Sequence, residues 1–234
     1  MSEEDWLTEK SWDKRPRWAT RAFDLVLCVI GLLFLWPVFC IIALAVKLDD
    51  NGPVFFTQHR MGKDFKRFSL IKFRTMVVGA DIDGLLTAPM DRRITRVGRL
   101  LRDYKLDELP QLINVLKGDM QFVGARPEVE RYVEMFRVPY STILQERPGI
   151  TDPATLVYRR EDNVLSSVNI EDQYVAEVLP HKLRLSLEYQ RQRTLLSDIS
   201  ILVRTVLGLS LSSERSHGQN VVIGARECEE ARKQ

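Results

Sequence analysis

Leu25-Val26-Leu27-Cys28-Val29-Ile30-Gly31-Leu32-Leu33-Phe34-Leu35-Trp36-Pro37-Val38-Phe39-Cys40-Ile41-Ile42-Ala43-Leu44-Ala45-Val46 holds no charged residue in 22 positions. As a straight helix it would extend about 33 Å, close to the hydrocarbon thickness of a bilayer. The run begins too late, is too long and lacks the small-residue cleavage site of a secretory signal. Trp36-Pro37 interrupts it near its middle, and proline there removes a backbone donor and clashes with the carbonyl of Leu33, so a kink is expected. Lys14, Arg15, Arg17 and Arg21 precede the run, and Lys47, Arg60, Lys63, Lys66 and Arg67 follow it. Basic residues favour the cytoplasmic side, and here they flank both ends. These residues leave open a kinked spanning helix and a re-entrant helix that enters and leaves the same leaflet; a buried core helix is a third reading, which 22 uncharged residues disfavour.

Outward from this stretch, residues 1–21 are polar and basic, 22–47 form the membrane helix, 48–211 the remaining domain and 212–234 a polar tail. Asn51-Gly52-Pro53 is a turn signal. Val54–Thr57 and Phe68–Phe73 read as short strands about a turn at Gly62-Lys63, and 79–91 as a loop. A helix is expected from Asp91, with Ile94, Val97, Leu101 and Tyr104 as its apolar stripe. Pro110 and Gly118 bracket a short helix. Pro127 opens another to about Phe136, Arg147-Pro148-Gly149 breaks the chain, and 152–168 is irregular. A helix covers about 171–192. Leu195, Leu196, Ile199, Leu202, Val203, Val206 and Leu207 then form an amphipathic stripe, fit to pack on the core or lie on a membrane surface.

Composition narrows the chemistry. The 234 residues carry a net charge of +2. Three cysteines (Cys28, Cys40, Cys228) are odd in number, and two lie in the apolar run. No disulfide framework or CxxC metal site is indicated, in keeping with a reducing compartment. His59, His181 and His217 are scattered, which argues against a histidine-rich metal site or a Ser-His-Asp triad. The notable acidic pair is Asp107-Glu108. Such a pair ordinarily caps a helix. Here Arg92, Arg93, Arg96, Arg99 and Arg102 lie just upstream, with Arg126 and Arg147 downstream. Carboxylates among many cations suit a dianionic substrate and a divalent metal.

Seven stretches in order carry a resemblance. They are the proline-broken anchor, Gly52-Pro53-Val54-Phe55-Phe56, Lys72-Phe73-Arg74-Thr75-Met76 and Arg93-Ile94-Thr95-Arg96-Val97-Gly98-Arg99. Leu106-Asp107-Glu108-Leu109-Pro110-Gln111 comes next. Asn114-Val115-Leu116-Lys117-Gly118-Asp119-Met120, leading to Val123-Gly124-Ala125-Arg126-Pro127, and Arg147-Pro148-Gly149-Ile150-Thr151 complete the set. Over roughly residues 15–208 the chain resembles the bacterial sugar transferases, the monotopic polyprenol-phosphate phosphoglycosyl transferases, in their short form.

The resemblance implies a helix-rich α+β fold: a re-entrant membrane helix, then a small cytoplasmic catalytic domain with amphipathic interfacial helices. It implies that Asp107 is the nucleophile and a ligand of Mg²⁺, and that Glu108 acts as a base or helps hold the metal. Lys72, Arg74, Arg102, Arg126 and Arg147 are then the substrate-binding candidates. The implied partners are a UDP-sugar, polyprenol phosphate and anionic membrane lipids, with no nucleic acid; oligomeric state is left open. The implied location is the cytoplasmic face of the bacterial inner membrane. An ordinary glycosyltransferase releasing UDP and a non-catalytic membrane adaptor are the competing readings. Two positions depart from the family pattern. Ala125 stands where the motif usually has proline, and Asp152-Pro153 follows Thr151 where many members continue differently.

Overall fold

The computed structural model describes residues 17–80, 91–159 and 170–209. Helix α1 runs from Arg17 to Asp50, longer at both ends than the uncharged stretch, and Pro37 sits inside it without ending it. One missing donor leaves the neighbouring turns to carry the helix on either side. The carboxyl end closes through Lys47, whose Nζ donates to the carbonyl of Asn51 at 2.9 Å. This helix is long and apolar enough to cross a membrane by length and composition, and only 11% of its most apolar window is buried.

It nevertheless touches the rest of the molecule at both ends. Arg21 donates to the carbonyls of Val115 and Leu116 at 2.6 and 2.8 Å, and the Cys28 thiol to that of Leu112. At the far end Asp49 accepts from the amide of Val97 at 3.1 Å and Asp50 pairs with Arg74. Leu33, Phe34, Trp36, Ile41 and Leu44, between these anchor points, are well exposed.

Strands β1 (Phe55–Met61) and β2 (Arg67–Phe73) form an antiparallel hairpin with Phe55 opposite Phe73. The turn between them carries Asp64 and Phe65 at positive φ. Both strands are longer than the apolar pattern indicated, because cross-strand hydrogen bonding recruits the polar residues next to the turn. The loop expected at 79–91 lies mostly outside the described residues. Helix α2 (Arg96–Asp103) begins five residues later than expected. Ile94 instead bridges to Met76, and Thr95 caps the helix, its hydroxyl accepting from the amide of Gly98 at 2.9 Å. Leu101 is buried as the stripe required, whereas Tyr104, at the end of the helix, is exposed.

Helix α3 (Gln111–Lys117) follows Pro110 directly and ends at Gly118 with φ +90°, as its bracketing residues indicate. A two-stranded parallel pair, β3 (Gln121–Val123) with β4 (Gly149–Thr151), is absent from the sequence reading. Three-residue strands leave no periodicity to see. Gly124 and Gly149 permit the pairing, since a Cβ on Gly149 would lie 2.2 Å from the amide nitrogen of Gly124. The expected helix at Pro127 is corrected to α4 (Glu130–Met135), followed by α5 (Arg137–Ile143).

Asp152 opens α6 (Pro153–Val157) in a stretch expected to be irregular. Its carboxylate, 1% exposed, accepts from the amide of Thr155 and from Ser186. The Asp152-Pro153 departure is therefore a helix cap. The helix expected over 171–192 is α7 (Ile170–Gln173), a π-helical turn at Tyr174–Val178, and α8 (Leu179–Gln192). Helix α9 (Leu195–Leu207) has a Thr194 capping box and closes at Gly208. No residue of its expected apolar stripe is fully buried: Leu202 is half-buried, Leu195, Leu196, Ile199, Val203, Val206 and Leu207 are exposed, and Ile201, outside that stripe, is the apolar residue packed in the core. The buried Arg193–Asp198 pair, at 2.9 Å, ties the α8–α9 junction to β3 through a guanidinium bond to the carbonyl of Val123. The fold is thus helix-rich with little strand, the α+β class expected.

Candidate active site

Lys105 takes a left-handed conformation at φ 58° and turns the chain out of α2 into a single 3₁₀ turn, Leu106–Glu108. The acidic pair rides on that turn. Its position is set from behind by Asn114 on α3, which is 0% exposed. The Asn114 carbonyl oxygen accepts from the amide of Ile71 at 3.0 Å, while its amide donates to the carbonyl of Ser69 at 2.8 Å and to Asp119. A fully buried amide with these partners locks α3, and so the turn before it, onto the edge of β2.

Asp107 and Glu108 face a cavity of about 370 Å³. Lys72, Arg74, Arg102 and Arg126 line the same cavity, so four of the five expected cationic ligands are brought together. Arg147 is not among them. It lies in a separate concavity with Trp18, Arg21 and Lys63, near the start of α1.

The two carboxylates have opposite electrostatics. Glu108 is only 12% exposed at its side chain. Burial alone would push its carboxyl up, but Arg126 and Lys72 outweigh that and hold it well below the usual carboxylate range. Arg126 grips it through both terminal nitrogens, one at 3.0 Å, and the Lys72 ammonium stands 3.6 Å away. Asp107 is 8% exposed, and its Oδ1 has no hydrogen-bond partner among the described residues. Burial, then the charge of Glu108, push its carboxyl up, against the opposing pull of Lys72, Lys105 and Arg102. The Lys72 ammonium is itself pushed down by burial, with Glu108 opposing. One acid of the pair is therefore spoken for, and the other presents a bare, basic oxygen.

Residues 15–211 match the bacterial sugar transferase family. The chain belongs to that family. It is 40% identical over 192 residues to the UDP-glucose:undecaprenyl-phosphate glucose-1-phosphate transferase of Escherichia coli, covering 80% of this chain and 39% of that protein. It is 36% identical over 211 residues to the undecaprenyl-phosphate glucose phosphotransferase of Komagataeibacter xylinus, covering 83% and 36%. The chain therefore spans well under half the length of these two relatives. The exopolysaccharide production protein ExoY of Sinorhizobium fredii is nearer in length: 30% identical over 208 residues, covering 82% of this chain and 85% of that one.

In this family member the cavity continues past the expected residues. Glu128, two residues after Arg126, pairs with Arg60 at 3.0 Å and accepts from the Tyr174 hydroxyl at 2.7 Å. Burial pushes its carboxyl up, yet Arg60 and Lys182 outweigh that and keep it below the usual range. Lys182, 8% exposed, lies 5.1 Å from the Tyr174 ring centre. Tyr158, whose hydroxyl lies 2.7 Å from the Nδ1 of His181, and Arg159 also line the cavity. Sequence reading passed over Lys105, Glu128, Tyr174 and Lys182. Lys182 stands among Leu179, Leu183 and Leu185, so a lone lysine set between leucines in a helical stretch was the available signal.

Among the described residues no cluster of three or more His, Cys, Asp or Glu side chains is placed to hold a metal ion. That does not conflict with Mg²⁺, which typically takes one or two carboxylates and completes its shell with substrate phosphates and water. The bare Oδ1 of Asp107 fits such a site. Glu108, engaged by Arg126 and Lys72, does not present a free oxygen pair.

Proposed function

We propose that this chain is a phosphoglycosyl transferase, moving a sugar-1-phosphate from a UDP-sugar to undecaprenyl phosphate through a covalent aspartyl intermediate. The observation that carries the reading is the unpartnered Oδ1 of Asp107, buried in a cavity ringed by Lys72, Arg74, Arg102 and Arg126. The relatives' names supply the donor and acceptor classes.

In the first step Oδ1 attacks the phosphorus that bears the sugar. A bond forms between Oδ1 and phosphorus, the bond to the bridging oxygen breaks, and its electron pair leaves with UMP. In the second an oxygen of the acceptor phosphate attacks the same phosphorus. The bond to Asp107 breaks and its carboxylate is restored, giving a polyprenyl-diphospho-sugar. A carboxylate suits this exchange because its phosphoryl anhydride is energetic enough to pass the group on to a phosphate.

Anion meets anion at each step, and two unit charges 4 Å apart repel by about 4 kcal/mol at an effective dielectric near 20. The cationic lining offsets that repulsion. Asp107, together with the diphosphate oxygens, would hold Mg²⁺, which supplies charge neutralisation across the diphosphate and the departing UMP. Glu108 orients Arg126 and Lys72. Held below the usual range, it is a poor base, and a phosphate monoester with a second pKa near 6 is largely dianionic at pH 7 without one.

The anchor reading is monotopic, on the cytoplasmic face of the inner membrane. Arg21 and Asp49 are 28 positions apart, about 42 Å along a straight helix, which exceeds the bilayer core of about 30 Å. Both contact the same domain. A helix crossing the bilayer would put that one domain on both sides. The exposed apolar faces of α1 and α9 would instead sink into one leaflet.

The test is incubation with UDP-sugars, undecaprenyl phosphate and Mg²⁺, with identification of the nucleotide released. UMP, with a sugar-phosphate adduct on Asp107 when donor is supplied alone, is the expected result. Release of UDP would instead mean transfer of the sugar alone.

A further inference from the structure

We infer that Arg74 binds the phosphate of the lipid acceptor, leaving the donor diphosphate to the other cations of the cavity; this rests on the transferase reading above. Arg74 is 5% exposed, lines the cavity, and carries two buried donors, Nε and Nη1, with no hydrogen-bond partner among the described residues. A buried guanidinium with unmet donors is costly unless an anion completes it. Its remaining nitrogen pairs with Asp50, the last residue of α1. The two unmet donors therefore stand where the membrane helix joins the catalytic cavity.

The surroundings of Arg74 differ from those of Arg126. Its amide bonds the carbonyl of Val54 at 2.9 Å, and Pro53, Phe55, Val77 and Val78 line this part of the cavity wall. Phe55 stacks on Phe73, the residue before Arg74, with ring centres 5.4 Å apart. Phe55, Val77 and Val78 are all exposed. Apolar side chains open to the outside beside a buried cation suit a phosphate carried on a hydrocarbon chain. A water-soluble nucleotide needs no such rim. Arg126 and Lys182 share the cavity lining with Val129, Tyr132 and Tyr174, which are buried and offer no exposed apolar margin. In the second step, Arg74 would hold the acceptor phosphate while one of its oxygens bonds to phosphorus and the Asp107 oxygen leaves.

Gly52 provides a probe that keeps the charge. Its backbone does not require glycine, since its φ is not positive. A Cβ there would fall 1.7 Å from the Arg74 Nη1 and 2.6 Å from its Cζ, so Gly52→Ala must displace the guanidinium.

The two half-reactions are measured separately. UMP released by excess enzyme with UDP-sugar alone reports the donor step. Loss of the preformed adduct on adding a short-chain polyprenol phosphate reports the acceptor step. Arg74→Gln and Gly52→Ala should each slow the acceptor step about tenfold to a hundredfold more than the donor step, with a raised KM for the acceptor. Arg74→Lys should recover part of that loss. Equal losses in both steps, or a larger loss in the donor step, would overturn the assignment and give Arg74 to the donor or to the fold. If the unaltered enzyme forms no adduct and releases no UMP, the transferase reading fails instead. Should Arg74→Gln not fold, Gly52→Ala alone decides.

Discussion

Replacing Asp107 with asparagine should abolish turnover and make the protein more stable. The carboxylate is 8% exposed, its Oδ1 has no partner among the described residues, and Glu108 adds repulsion that Lys72, Lys105 and Arg102 only partly cancel. Leaving a buried acceptor unmet costs about 1–3 kcal/mol, and more for a charged one. A neutral carboxamide of nearly the same shape relieves the charge but brings its own amide, so a net gain of about 1–2 kcal/mol is expected. For a protein of this size that raises Tm by about 2–8 °C.

The effect has a pH signature. Burial raises the folded-state pKa of Asp107, so the wild-type protein is penalised only where that group is ionised. The advantage of Asp107→Asn should be absent below about pH 4, near the unfolded value, and grow as pH rises through the folded one. Thermal unfolding of both proteins in one detergent from pH 4 to 8, beside UMP release, provides the measurement. Turnover should fall by at least about three orders of magnitude, since a carboxamide cannot form the phosphoryl anhydride. A variant less stable at pH 7.5 than the wild type would refute the reasoning, because the carboxylate would then be a structural partner. Surviving sugar transfer would refute the nucleophile.

Glu108→Gln should show the opposite sign. Its ion pairs hold the folded-state pKa low, so the wild type gains stability above the unfolded value of about 4.3, and the variant should be less stable at pH 7 with the gap closing in acid. Arg126→Ala should lower stability by about 1–3 kcal/mol, since Glu108 would keep only Lys72, and lower UMP release as well. Gly98→Ala would put a Cβ 2.0 Å from the carbonyl oxygen of Thr75, a backbone atom, and should cost about 1–3 kcal/mol, read as a fall in Tm. With the native cysteines replaced, Ala22→Cys and Leu48→Cys should both be labelled by an impermeant maleimide in inside-out vesicles and neither in right-side-out cells. Labelling from opposite sides would mean a spanning helix.

The local features were legible because their causes are local. A charge-free run, a proline before α3 and a glycine after it, and alternating apolar residues in β2 each act within a few positions of themselves, and the ordered motifs around Asp107-Glu108 point to the family by themselves. The short parallel pair β3–β4, the late start of α2 and the cap at Asp152 were not legible. Each depends on a partner distant in sequence: β4 for β3, Met76 and Thr75 for the start of α2, Ser186 for Asp152.

The site divides in the same way. Residue type alone marked Asp107, Glu108 and the arginines as chemistry-bearing, since carboxylates among cations are costly to gather without an anion to bind. Which acid is engaged and which is bare was decided by packing, which brought Arg126 and Lys72 onto Glu108 and left the Asp107 oxygen alone. Packing likewise put Arg74 in the cavity and Arg147 outside it, and brought Glu128, Tyr174 and Lys182 in. Charge and hydropathy are properties of a residue. Burial, hydrogen-bond partners and the field at a carboxylate belong to its surroundings, which exist only once the chain has folded.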